Sequence, residues 1–160
     1  MSDTTVTATP GGHEVIISRG FRATRDRVFE AYTNPELVVQ WMGPSAFTMA
    51  IDSWETVAGG KWRYVSTDPA GNDFGFHGVY HDVVKDERIV QTFEFEGASG
   101  RVSFNVIRFE ENEGETTVTS TAVFETVEDR DSMINTGLEA GAHEGYERLA
   151  SLLDDEHPVL

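Results

Sequence analysis

The sequence predicts an α+β domain: a curved antiparallel sheet of six to seven strands around a long C-terminal helix, with two short helices after the first strand. Three observations carry that expectation. Six stretches of alternating apolar residues follow one another between residues 47 and 125, separated by tight-turn signals. One long segment with helical apolar spacing, Arg130 to Leu153, closes the chain. A sheet with one apolar face needs a cover, and that last helix is the only element large enough to supply it.

The elements follow in order. Residues 1–12 are rich in Ser, Thr, Ala, Pro and Gly, show no apolar period and read as a disordered tail; 13–154 read as a single domain and 155–160 as a flexible tail. His13 to Arg19 reads as a strand with Val15 and Ile17 on one face. Thr24 is a candidate N-cap for a helix over Arg25 to Thr33, where Val28, Phe29 and Tyr32 recur at helical spacing. Asn34-Pro35 stops that helix and starts a second, Pro35 to Trp41, which Gly43-Pro44 ends. Strands are then expected at Phe47–Val57, Gly60–Thr67, Asp73–Lys85, Arg88–Glu96, Arg101–Glu110 and Glu115–Glu125. Asp129 or Asp131 suits the N-terminus of the closing helix, whose apolar side is Met133, Ile134, Leu138, Tyr146, Leu149, Leu152 and Leu153.

Composition narrows the function classes. The 160 residues fit one domain. The absence of cysteine excludes disulfides, thiolate metal sites and a cysteine nucleophile. Twelve Lys and Arg against 28 Asp and Glu give a formal charge of −16, a field that repels phosphate backbones, so no nucleic-acid partner is expected. The N-terminus lacks a signal pattern and no apolar run is long enough to span a membrane, so a cytoplasmic location and no membrane span are expected.

The closing helix contains Gly137, Gly141 and Gly145, spaced by four and therefore near one face. Each interior glycine costs about 1 kcal/mol relative to alanine. Two explanations compete: the glycines let the helix approach the sheet closely, or they leave room for a ligand. Opposite them the strands carry Trp54, Trp62, Tyr64, Phe76, Tyr80, Phe93 and Phe104, which with Trp41 form a candidate binding wall. An aromatic stripe is equally what an ordinary core shows. Arg63, His77 and Asn105 are the polar cavity candidates, with His81 and Arg108 behind them.

Catalytic and metal patterns are sparse. His77 and His81 lie four apart, which on a strand separates them by roughly 13 Å, too far for one ion. His143 with Glu139 and Glu147 has helical spacing, but charge pairing on a solvated face accounts for it. No metal-protease, dinucleotide or P-loop motif is present. No catalytic constellation, metal site or cofactor is expected.

Phe21 to Pro44, F-R-A-T-R-D-R-V-F-E-A-Y-T-N-P-E-L-V-V-Q-W-M-G-P, resembles the start of the activator-of-heat-shock-ATPase-like branch of the START-like (SRPBCC) superfamily. Gly59-Gly60-Lys61-Trp62-Arg63, His77-Gly78-Val79-Tyr80, Glu87 to Thr92 (E-R-I-V-Q-T) and the glycine-containing ending around Tyr146 to Leu149 resemble that family's further motifs. The resemblance covers roughly Glu14 to Leu153. It implies a helix-grip fold and a deep cavity between sheet and last helix, used across the superfamily for lipids, sterols and polyketides. Two departures stand out: Trp41-Met42-Gly43-Pro44 where many relatives carry a second Trp, and Gly141-Ala142-His143 where many carry an aromatic. The leading expectation is binding of an apolar or aromatic small molecule without catalysis. An enzyme acting on such a ligand, with His77, Arg63, Tyr64 and Tyr80 as its polar groups, is one alternative. A chaperone-regulating or stress-response module with a protein partner is another. Monomer and homodimer are both compatible with the sequence.

Overall fold

A computed structural model describes residues 4–156, with side chains through Asp154; the tail read at 155–160 falls largely outside these residues. Alternating apolar residues form β1 (Thr5–Thr7), β2 (Glu14–Phe21), β3 (Thr48–Trp54), β4 (Lys61–Thr67), β5 (Asp73–Val84), β6 (Arg88–Phe95), β7 (Val102–Asn112) and β8 (Glu115–Phe124). The helices are α1 (Arg25–Thr33), α2 (Pro35–Trp41), α3 (Val127–Asn135) and α4 (Leu138–Glu156). All eight strands form one antiparallel sheet in the order β1-β2-β8-β7-β6-β5-β4-β3. The eighth strand is β1. It lies inside the stretch expected to be an unstructured tail and pairs Val6 with Ile17.

Turn chemistry sets the sheet's meander. The β4–β5 hairpin is tied by the Asp68 carboxylate, which accepts from the Ala70 and Asn72 backbone N–H groups at 3.0 and 2.8 Å. Bulges between Ile51 and Ser53 in β3 and between Tyr80 and Asp82 in β5 bend the sheet, so one face becomes concave. Helices α1 and α2, which connect β2 to β3, close the open side. The Asn34 side chain accepts from Glu36 N–H at 3.0 Å, the expected junction cap. Thr24 stands at the N-cap of α1, but its hydroxyl bonds the Asp26 carboxylate rather than a backbone N–H.

The closing helix departs from expectation. It starts at Val127, capped by Thr126 Oγ1 accepting from Asp129 N–H at 3.0 Å, and not at Asp129 or Asp131. It then breaks. Gly137 adopts φ +90°, a left-handed conformation that ends α3, with its N–H donating to Ile134 O at 3.3 Å. The stretch Asn135-Thr136-Gly137 is a helix stop that the apolar period through Met133, Ile134 and Leu138 masks. A new helix, α4, begins at Leu138. It leans on α1, α2 and β2. One apolar cluster, including Phe21, Val28, Tyr32, Trp41, Tyr146 and Leu149, fixes that packing.

Candidate functional site

Strand parity decides which side chains face α4. On β4, Trp62, Tyr64 and Ser66 are buried on the concave side and Arg63 and Val65 alternate outward. Phe76 and Tyr80 on β5, and Gln91 and Phe93 on β6, continue the inward face. Ser103, Asn105 and Ile107 do so on β7. Above this floor the interior is not solid. An inner chamber of about 280 Å³ lies under α4, walled by Trp41, Trp54, Trp62, Tyr64, Tyr80, Phe93, Gly141 and Gly145, with Gln91, Asn105 and Ser120 on its floor. An outer chamber of about 390 Å³ adjoins it, the two sharing Gly43, Tyr64 and Phe93. Phe47, Phe74, Phe76, Phe95 and Phe124 line the outer chamber, with Met133 and Thr136 of α3 at its side.

The aromatic wall is ordered by ring packing. Tyr64 stacks on Trp62 at 5.7 Å and on Phe76 at 5.0 Å, both with an interplanar angle of 22°. Phe76 reaches Phe95 at 5.1 Å and Phe93 at 5.6 Å. The result is a flat apolar strip running from one chamber into the other. At the closed end, Tyr32 O–H donates to Tyr146 Oη at 3.2 Å. Burial raises the pKa of Tyr32, Tyr64 and Tyr146, and pushes that of Tyr80 up to about 12, so these phenols stay protonated at neutral pH. Among the described residues, the inner lining carries no charged side chain.

The glycines divide between the two explanations. A Cβ on Gly141 would meet nothing within 4 Å, so this glycine leaves room. A Cβ on Gly145 would lie 3.4 Å from Trp41 O, so this one permits close packing against α2. Gly137 does neither: it ends α3, outside the chamber wall.

Besides Gly137, three of the sequence-predicted site residues lie elsewhere. Phe104 points outward from β7, 46 % exposed beside its register partner Val123. Arg63 and His77 are on the convex face because their neighbours Trp62, Tyr64 and Phe76 point inward. There Arg63 binds Glu96 through Nε at 2.7 Å and Nη2 at 2.9 Å, and His77 Nδ1 lies 2.8 Å from Glu96 Oε2. Arg63, then His77, hold the Glu96 carboxyl down from its usual value near 4.5 to about 2. A carboxylate that ionises more readily folded than unfolded adds stability above the unfolded value, and loses it as pH falls through the folded one. Between about pH 4.5 and 2 the Glu96→Gln variant should therefore lose stability less steeply than the parent. Urea denaturation across that range checks it; parallel curves would refute the linkage.

Tyr32, Gln91, Ser120 and Tyr146 on the inner lining were not anticipated. For Gln91 the signal was present, since it shares parity with Phe93 on β6.

Comparison with known proteins fits this geometry. A structural-genomics protein from Rhodobacter sphaeroides superposes with a TM-score of 0.87 at 22 % identity, covering 96 % of this chain and 99 % of the other. Protein Ms6760 from Mycobacterium smegmatis gives 0.86 at 22 % identity, over 97 % and 99 %. A solution structure from Staphylococcus epidermidis gives 0.82 at 26 % identity, over 98 % and 97 %. These likenesses establish a shared helix-grip architecture. No curated protein matches the sequence significantly. The family model described as Activator of Hsp90 ATPase homolog 1-like protein matches residues 22–154, from the end of β2 through α4, and the chain belongs to that family.

Proposed function

We propose that the protein binds an apolar, aromatic small molecule in the two adjoining chambers between sheet and α4, without transforming it. The observation that carries this reading is the open space at Gly141 facing a strip of stacked rings. A helix glycine that no neighbour approaches has no packing reason to be glycine. The tyrosine pair supports binding over catalysis: burial raises both hydroxyls away from neutrality, which suits hydrogen-bond donation rather than proton exchange. Of the four polar groups an enzyme reading relies on, Arg63 and His77 face solvent on the opposite side of the sheet, while Tyr64 and Tyr80 line the chamber as phenols whose pKa burial raises.

Amide NMR spectra recorded while adding fatty acids, sterols, flavonoids and polyketide-like aromatics test the reading. At least one class should shift Gly141, Gly145 and the Trp62 indole, leaving Gly71 of the β4–β5 hairpin still. Shifts confined to the convex face, or none across the panel, would overturn it.

A further inference from the structure

Helices α1, α2 and α4 pack into the apolar cluster on the concave side, and α3 borders the outer chamber. Among the described residues nothing covers the convex side of the sheet. A solvated face of an antiparallel sheet ordinarily carries polar residues. Here Val102 and Phe104 of β7 point outward, 40 % and 46 % exposed, beside Val79 of β5 and Val123 of β8 at 42 % and 38 %. They are four of the six large apolar side chains exposed among the described residues, which makes a patch rather than a scatter. The register lines them up. Lys61 pairs with Val79, Thr92 with Phe104, Phe104 with Val123 and Val123 with Glu14. The Val79 N–H donates to Thr92 Oγ1 at 3.0 Å, which joins the two halves into one row from β4 to β2. The middle of the row is uncharged, and its two ends carry opposite charges. Lys61 and Glu14 are exposed, and among the described residues neither the ammonium nor the carboxylate has an ion-pair partner. In the next row Val90 pairs with Val106, again apolar. Charged rows bound the patch, Arg88 with Arg108 on one side and His77 with Glu94 on the other.

We propose that two copies of this chain pack convex face to convex face, about a twofold axis that runs along the strands and crosses this row beside Phe104. That rotation exchanges the ends of the row. Lys61 of each copy meets Glu14 of the other, Val79 meets Val123, and Thr92 meets Phe104. In the next row Val90 meets Val106. A row with one sign at each end and apolar residues between is thus complementary to itself. An apolar centre with a polar rim is also the ordinary anatomy of a protein interface. Strands kept nearly parallel across the contact match the aligned class of sheet packing. The row is about 24 Å long at roughly 4.8 Å per strand step. Two outward-curved sheets in contact over that length give an interface at the low end of specific ones, so dimerisation in roughly the tens-of-micromolar range is expected. The chambers under α4 lie on the other face and stay free, so this inference does not rest on the binding reading.

Sedimentation equilibrium of the full chain tests it, from about 5 μM to about 1 mM protein in about 0.3 M NaCl, which shortens the range of repulsion between two chains of charge −16. The parent should pass from monomer to dimer within that range. Phe104→Lys should weaken the dimer about hundredfold, since a contact worth roughly tenfold is used twice. Lys61→Glu should weaken it about tenfold, as two end pairs turn from attraction to repulsion. Adding Glu14→Lys to Lys61→Glu returns the net charge to −16 and should restore the parent's Kd to within about twofold. All three side chains are exposed, so the variants keep the fold, which urea midpoints near the parent's check. A parent that stays monomeric throughout overturns the proposal, and so does a dimer that Phe104→Lys leaves intact. A dimer that the double exchange fails to restore overturns the twofold arrangement. None of these outcomes bears on the cavity, which the ligand titrations test separately.

Discussion

Gly141→Leu should close the inner chamber without unfolding the protein. Beyond its own stretch of helix, the Cβ position at Gly141 has no heavy atom within 4 Å, so the new side chain enters space that is already present. Replacing a mid-helix glycine also removes a cost of about 1 kcal/mol, judged against alanine, so thermal stability should hold or rise. Ligand affinity should fall. Sharing a filled cavity costs about 1–3 kcal/mol, roughly tenfold to a hundredfold in Kd. Gly145 supplies the contrast, because a Cβ there already touches Trp41 O at 3.4 Å and helix packing changes with it. Calorimetric titration with whichever class binds, beside a melting curve, checks both halves. Undiminished affinity in a folded Gly141→Leu protein would show that the ligand does not use this chamber.

Trp41→Ala should be the most destabilising single change in the helical lid, by about 3–5 kcal/mol, against a typical domain stability of about 5–15 kcal/mol. Trp41 is 4 % exposed, packs on Tyr32 at 4.9 Å and stacks on Tyr146 at 6.1 Å. Its indole N–H donates to Ala31 O at 2.9 Å. Ala31 lies in the last turn of α1, where carbonyls lack an intrahelical donor. The residue thus joins α1, α2 and α4 through one ring and one hydrogen bond. Trp41→Phe keeps most of the ring and loses the bond, and should cost about 1–3 kcal/mol. Urea denaturation with an unchanged slope tests both. A loss under 1 kcal/mol for Trp41→Ala would mean the three helices hold together without it.

Local chemistry explains what was legible in the sequence. The bounds of α1 and α2 follow from Asn34-Pro35, which permits few other conformations. Strand positions follow from alternation and turn residues. Facing was harder. On β7 both sides are apolar, with Val102, Phe104 and Val106 outward and Ile107 and Phe109 inward. Hydrophobicity alone picks Phe104 for the interior, yet parity puts Ser103 and Asn105 there. Polar residues on the inward face are what a chamber floor needs and a solid core avoids, so the misleading signal was itself the mark of a cavity. Arg63 and His77 were decidable from parity, because their chain neighbours are inward aromatics. The break at Gly137 depends on a backbone φ that the surrounding apolar period conceals.

The short strand β1 has a bearing on how copies of this chain meet. An open sheet ends in two rows of unpaired backbone groups, and each row is a template on which another chain can add a strand. On one flank Thr5–Thr7 covers the middle of β2, at Ile16–Ser18, and is itself too short to seed a long ladder. On the other flank β3 carries the irregularity between Ile51 and Ser53 and the exposed carboxylate of Asp52, which spoil a straight docking line. Brevity guards one margin, distortion and charge the other, and the sheet is protected from fibre-like growth along its hydrogen-bonding direction.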